Sequence, residues 1–128
     1  MKKILILIAA LSLASCANIQ NAYEAATQSS ISPKAVIVAA NTFDALEATA
    51  TNYLRLPKCG VDVSKVCRNP NATKPIVNAV RSGRVARNNL EQFMINHPGQ
   101  LGPSGPYDIL VTAIDTLNSV YAQYNVGK

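Results

Sequence analysis

The sequence predicts an all-α protein: a small up-down-up three-helix bundle preceded by a short N-terminal tether or helix. Three observations lead there. Apolar residues recur at helical spacing in three separate segments, and no segment shows the apolar/polar alternation of a half-buried strand. The chain is rich in Ala, Val, Ile and Leu but has two Phe and no Trp. Alanine favours helices and lets them approach closely, whereas sheets draw on aromatic and β-branched residues. Short connections between amphipathic helices place consecutive helices side by side and antiparallel.

The first helix opens at Ser32-Pro33. The serine hydroxyl can accept a free N–H of the first turn, and proline at the first helical position loses no bond. Val36, Ala39, Phe43, Leu46, Ala50 and Tyr53 then recur at alternating steps of three and four, flanked by Ile37, Ala40 and Leu54. Pro57 ends the pattern. Residues 59–71 form a connector, in which Val61, Val63 and Val66 suit either a small hairpin or an ordered loop. Asn69-Pro70-Asn71 carries turn chemistry.

The second helix is expected over residues 73–96, with Thr73 as its cap and Pro75 in its first turn. Ile76, Ala79 or Val80, Gly83, Ala86, Leu90 and Phe93 mark its buried face. Gly83 costs about 1 kcal/mol relative to Ala in a helix interior. Close approach of another backbone, or a bend, would explain it. His97-Pro98-Gly99 stops the helix. Gly102-Pro103-Ser104-Gly105-Pro106 is a loop by composition, and the third helix is expected over residues 106–124. Its seam is Leu110, Ala113, Leu117, Val120 and Tyr124, with Ile109, Ile114 and Tyr121 alongside. Asp108, near its start, would be favoured by the helix dipole.

The N-terminus carries the strongest motif. Met1-Lys2-Lys3 supplies a positive segment and residues 4–13 an apolar one. The apolar run is shorter than the roughly 20 residues a membrane-spanning helix needs. It ends in Leu13-Ala14-Ser15-Cys16, which resembles the lipobox of bacterial lipoproteins at all four positions. A plain secretory signal, or a buried N-terminal helix of a cytosolic domain, are the alternatives. The resemblance covers residues 1–17. It implies that the Cys16 thiol receives a diacylglyceryl group, that the chain is cut before it, and that the new amine is often acylated, as with palmitate. The chain then divides into a signal peptide (1–15), a lipidated N-terminus and tether (16–32) and a helical domain (33–128). Within the tether Ile19, Ala22, Tyr23 and Ala26 share one helical face. Ala17 is not the aspartate that the family associates with inner-membrane retention. In a cell with two membranes the resemblance implies the periplasmic face of the outer membrane.

The net charge is +5 and falls to +3 once Lys2 and Lys3 are removed with the signal peptide, a mild excess that serves solubility. With Cys16 lipidated, Cys59 and Cys67 remain as an even pair in a compartment where disulfides persist. Closing so short a loop would contribute roughly 2–3 kcal/mol by constraining the unfolded chain. Two free thiols are the alternative. A metal site would need further ligands, and His97, the only histidine, has no ligand spacing around it. No metal or cofactor is expected.

No catalytic set is expected either. Asp44 and Glu47 share a helix face, but a hydrolytic carboxylate pair needs a cleft and one raised pKa, so a solvated helix surface is the simpler reading. No serine stands in a glycine-framed elbow. Arg81, Arg84 and Arg87 are the candidate site for an anionic partner. Steps of three drift about 60° around a helix, and Arg68 and Lys74 lie upstream to widen the patch. Lipid phosphate, lipopolysaccharide or an acidic protein would fit, against a merely solvated basic face. Nucleic acid is not expected, since no aromatic residues interleave with the arginines. Tyr107, Tyr121 and Tyr124 suit a partner surface, or core packing with their hydroxyls reaching solvent. The expected function is a lipid-anchored cell-envelope protein with a binding or structural role. Its partners would be the membrane, through acylated Cys16, and another envelope protein. A phage-derived or defensive exclusion lipoprotein is the alternative, and a wall or lipid hydrolase a third.

Overall fold

The computed structural model describes residues 29–60 and 66–127. Its elements run β1 (Ser29–Ile31), α1 (Pro33–Leu54), α2 (Pro70–Asn96), β2 (Gly102–Pro103) and α3 (Ser104–Tyr124). Among the described residues the fold is all-α apart from the two short strands.

Helix α1 begins where the sequence placed it. The Ser32 hydroxyl accepts the Ala35 N–H at 3.3 Å, and Val36, Ala39, Phe43, Ala50 and Tyr53 are buried, with Leu46 partly so. Helix α2 starts three residues before the expected Thr73. Asn69 is the cap, its side chain accepting the Asn71 N–H at 2.9 Å, and Pro70 is the first helical residue. Asn-Pro serves a turn and a helix start by the same means, an Asx acceptor and a preset φ, so local sequence does not separate them. Thr73 instead accepts from the Arg68 guanidinium at 2.9 Å. Pro75 stands in the second turn rather than the first, where it forfeits the N–H that would reach the Asn71 carbonyl. The earlier start buries Ala72.

Residues 102–106, expected as a loop, hold β2 and the first turn of α3. Proline is tolerated at the third helical position, Pro106, because the first four N–H groups of a helix have no internal acceptor. Asp108 therefore lies beyond the first turn, where the dipole effect has faded. Strand β2 pairs antiparallel with β1, Ser29 opposite Pro103 and Ile31 opposite Gly102. The end of the expected tether is thus a strand, one that no alternation in the sequence marks. Strands of two and three residues are too short to show alternation.

Contacts across helices fix the direction of each. Asp44 meets Arg87 and Glu47 meets Arg84, so α1 and α2 are antiparallel. Val36 lies beside Gly102, Leu46 against Tyr121 and Thr49 beside Gly127, so α1 and α3 are parallel. The bundle is up-down-up. One end, here called proximal, carries the strand pair, the start of α1, the end of α2 and the start of α3. The distal end carries residues 55–60 and 66–69 of the connector and the end of α3.

Phe43, Ile76, Leu90, Leu110 and Leu117 are fully buried. Gly83 earns its place through Phe43: a Cβ there would lie 2.1 Å from ring atom Cε2. What glycine admits is an aromatic ring from α1, rather than another backbone. Tyr121 is buried and its hydroxyl donates to the Leu46 carbonyl at 2.6 Å, tying α3 to α1 instead of reaching solvent. Tyr107 and Tyr124 are partly buried. Past α3, Asn125 adopts a left-handed φ of 53°. The buried Val126 returns its N–H to the Tyr121 carbonyl at 3.0 Å, a Schellman-type stop.

Candidate functional site

Cys16, the lipobox and most of the tether lie outside the described residues, as do Val61 and Val63. Of the predicted site residues the structure places Cys59, Cys67 and the three arginines.

Cys59 and Cys67 are bonded, with their Cα atoms 5.0 Å apart. The disulfide closes the connector, and the backbone on both sides is drawn in by hydrogen bonds. The Cys59 N–H donates to the Arg68 carbonyl at 3.0 Å, and the Arg68 N–H to the Pro57 carbonyl at 2.8 Å. The Arg68 side chain donates to the Leu56 carbonyl at 3.0 Å as well as to Thr73. Arg68 therefore holds the connector together and does not widen a basic patch. Tyr53 joins in, its hydroxyl oxygen accepting the Asn69 N–H at 2.7 Å.

The three arginines part company because each step of three turns the side chain around α2. Arg87 faces α1, where two of its nitrogens meet both Asp44 oxygens at 3.0 and 3.1 Å while the third pairs with Glu91. Its pKa is raised above the ordinary value. The Asp44 hydrogen bond is the main cause, with the charges of Asp44, Glu91 and Glu47 adding and burial opposing. Arg84 pairs with Glu47. Two guanidinium groups thus face three carboxylates, and this cluster acts as a polar clasp between α1 and α2. Sequence reasoning left Asp44 and Glu47 as solvated surface. The matching spacing of three in both pairs, on helices expected to be antiparallel, was the signal available.

Arg81 is different. It is exposed and makes no ion pair among the described residues. It lies on the ridge between two grooves. One, of about 530 Å³ between α2 and the start of α3, is lined by Asn78, Ser82, Val85, Pro106 and Ile109; the other, of about 390 Å³ between α1 and α2, by Leu54, Val77 and Val80. Arg81 and Lys74 are the exposed cations of α2 that stand outside the ion pairs among the described residues.

His97 caps the end of α2 with its ring 4.7 Å from that of Phe93. Among the described residues no group of His, Cys, Asp and Glu could hold a metal ion, and no helix is long and apolar enough to cross a membrane. Comparison with protein-family models, curated proteins and solved structures finds no match.

Proposed function

We propose that this is a lipid-anchored cell-envelope protein, held to a membrane through acylated Cys16 and presenting a disulfide-closed helical domain in a binding or structural role. The observation that carries the reading is the run Leu13-Ala14-Ser15-Cys16 behind a lysine-headed apolar segment. The Cys59–Cys67 bond supports it, because such bonds persist in exported proteins and are rare in a reducing cytosol. It also leaves Cys16 as the one cysteine without a partner in the domain's disulfide. Anchoring has a physical basis: each buried CH₂ contributes about 0.8 kcal/mol, so one acyl chain holds marginally and two or more hold stably. Ala17 favours the outer membrane where two membranes exist, and the partner at its surface is another envelope protein. Arg81 is the side chain available to an acidic group on that partner, to lipid phosphate or to lipopolysaccharide.

Labelling cells with radioactive palmitate tests this. The wild-type chain should carry label and sediment with membranes, and Cys16→Ala should lose both. Label retained by Cys16→Ala, or wild-type protein that stays unlabelled, would sink the anchoring.

A further inference from the structure

Seven large aliphatic residues are exposed among the described ones, and five of them gather at the proximal end: Ile37, Val38, Ile95, Leu101 and Ile109, each 49–66% accessible. Single exposed aliphatics are ordinary, but a grouping at one end is not. Their arrangement is a collar. Ile37 lies in the groove between α1 and α2, Val38 in that between α1 and α3, and Ile109 in that between α2 and α3. At about 1.5 Å per residue, these three sit some 6–8 Å along their helices from the end of the bundle. Ile95 and Leu101 lie closer to the tip. The distal end offers Arg55, Lys58 and Lys74 and, of the exposed aliphatics, Val66; Val85 lies midway along α2 in the groove of Ile109, and Lys34 and Asp108 are exposed charges beside the collar.

The chain also enters at the proximal end. Ser29 is paired with Pro103, three residues before Pro106, so the described chain begins beside the collar, and Cys16 stands 13 positions before Ser29 in the sequence. We propose that the proximal end is a membrane-docking surface: the bundle stands end-on in the interfacial layer of a lipid bilayer, with the collar immersed to its own depth. An amphipathic helix lying in the interface buries its apolar face about 5–10 Å into the headgroup region, a depth comparable with the height of the collar. The inference rests on the anchoring proposed above, because a ring of five side chains needs the acylated chain to keep it at the surface.

The test uses the full chain in vesicles of phosphatidylethanolamine and phosphatidylglycerol, with an environment-sensitive fluorophore on one introduced cysteine at a time. Leu101→Cys and Ile109→Cys report on the collar, and Gln123→Cys on the distal end. The collar positions should blue-shift and be quenched several-fold more by brominated lipid than Gln123. Ile37→Asp with Leu101→Asp should abolish the quenching at Ile109→Cys. These side chains are exposed, so the fold survives the change, as circular dichroism would verify. The mass of the same sample reports acylation. An acylated chain whose collar stays in water, or whose Gln123 position is shielded instead, overturns the docking alone; a chain without acyl mass overturns anchoring and docking together. A collar wet on pure lipid but protected in intact cells would assign it to a protein partner and equally refute the lipid surface.

Discussion

At the distal end the backbone is held by a covalent bond and a set of polar contacts, whereas at the proximal end it is held by two short paired strands. The disulfide, the Arg68 side chain, the Tyr53 hydroxyl and the returning Val126 N–H all act within the distal layer. The proximal layer has β1 against β2, Gly102 beneath Val36, and aliphatic side chains left facing outward. A domain this small cannot bury a large fraction of its surface, so cross-links offset what the core lacks. They are concentrated at the end away from Ser29. The end beside Ser29 leaves its apolar groups exposed, next to where the proposed anchor would hold the domain.

The contact joining both ends is Phe43 on Gly83, near the middle of α1 and α2, and breaking it should have the largest effect. Phe43→Ala is expected to cost about 3–5 kcal/mol in urea unfolding, loosening both ends together. Gly83→Ala alone should also destabilise, because crowding against the ring outweighs the gain of about 1 kcal/mol in helix propensity. In the Phe43→Ala background the same change should be neutral or favourable. Equal cost in both backgrounds would show that the ring does not explain the glycine.

Removing the disulfide should separate the two ends. Cys59→Ser with Cys67→Ser is expected to cost about 2–3 kcal/mol. Hydrogen exchange should quicken around residues 53–75 and leave the strand pair unchanged. Uniform loss of protection would mean that the ends open as one unit.

Tyr121 offers a smaller handle on the distal half. Burial pushes its phenol pKa up from 10.0 to about 12, with the Ala50 backbone N–H working slightly against it. The folded state holds the neutral phenol more firmly than the unfolded chain does. That stability is fully present below pH 10 and is lost as pH rises toward 12. Urea midpoints should fall across this window by an amount worth about 1–2 kcal/mol. In Tyr121→Phe that component should vanish, while the midpoint at pH 8 drops by the value of one hydrogen bond, about 1 kcal/mol.

The smallest effect belongs to the clasp. Both partners of each cross-helix pair are partly exposed, so Asp44→Asn or Arg87→Met should cost about 0.2–1 kcal/mol, less in high salt. A larger loss at Asp44 would make the clasp a main support of the α1–α2 contact.

Much of this fold was legible because its signals are local. The seam from Val36 to Tyr53 and that from Leu110 to Val120 run long enough for the 3.6-residue period to declare itself, and Ser32-Pro33 marked a start that the structure shares. Gly83 and the Cys59/Cys67 pair were each conspicuous for a physical reason that the structure supplies. What escaped depends on distant partners. Ser29–Ile31 is a strand only because Gly102–Pro103 lies beside it. Arg84 and Arg87 looked like one basic face with Arg81 until two carboxylates of α1 drew them aside. The start of α2 at Asn69-Pro70 was hidden by chemistry shared between turns and caps.

Anchoring turns on Cys16, and tandem mass spectrometry of the N-terminal peptide of the mature protein is its sharpest test. The predicted result is a peptide beginning at Cys16, heavier by a diacylglyceryl group and, where the amine is acylated, by a further fatty acyl chain. A peptide beginning at Met1, or an unmodified Cys16, would contradict the anchoring and with it the reason for two unlike ends.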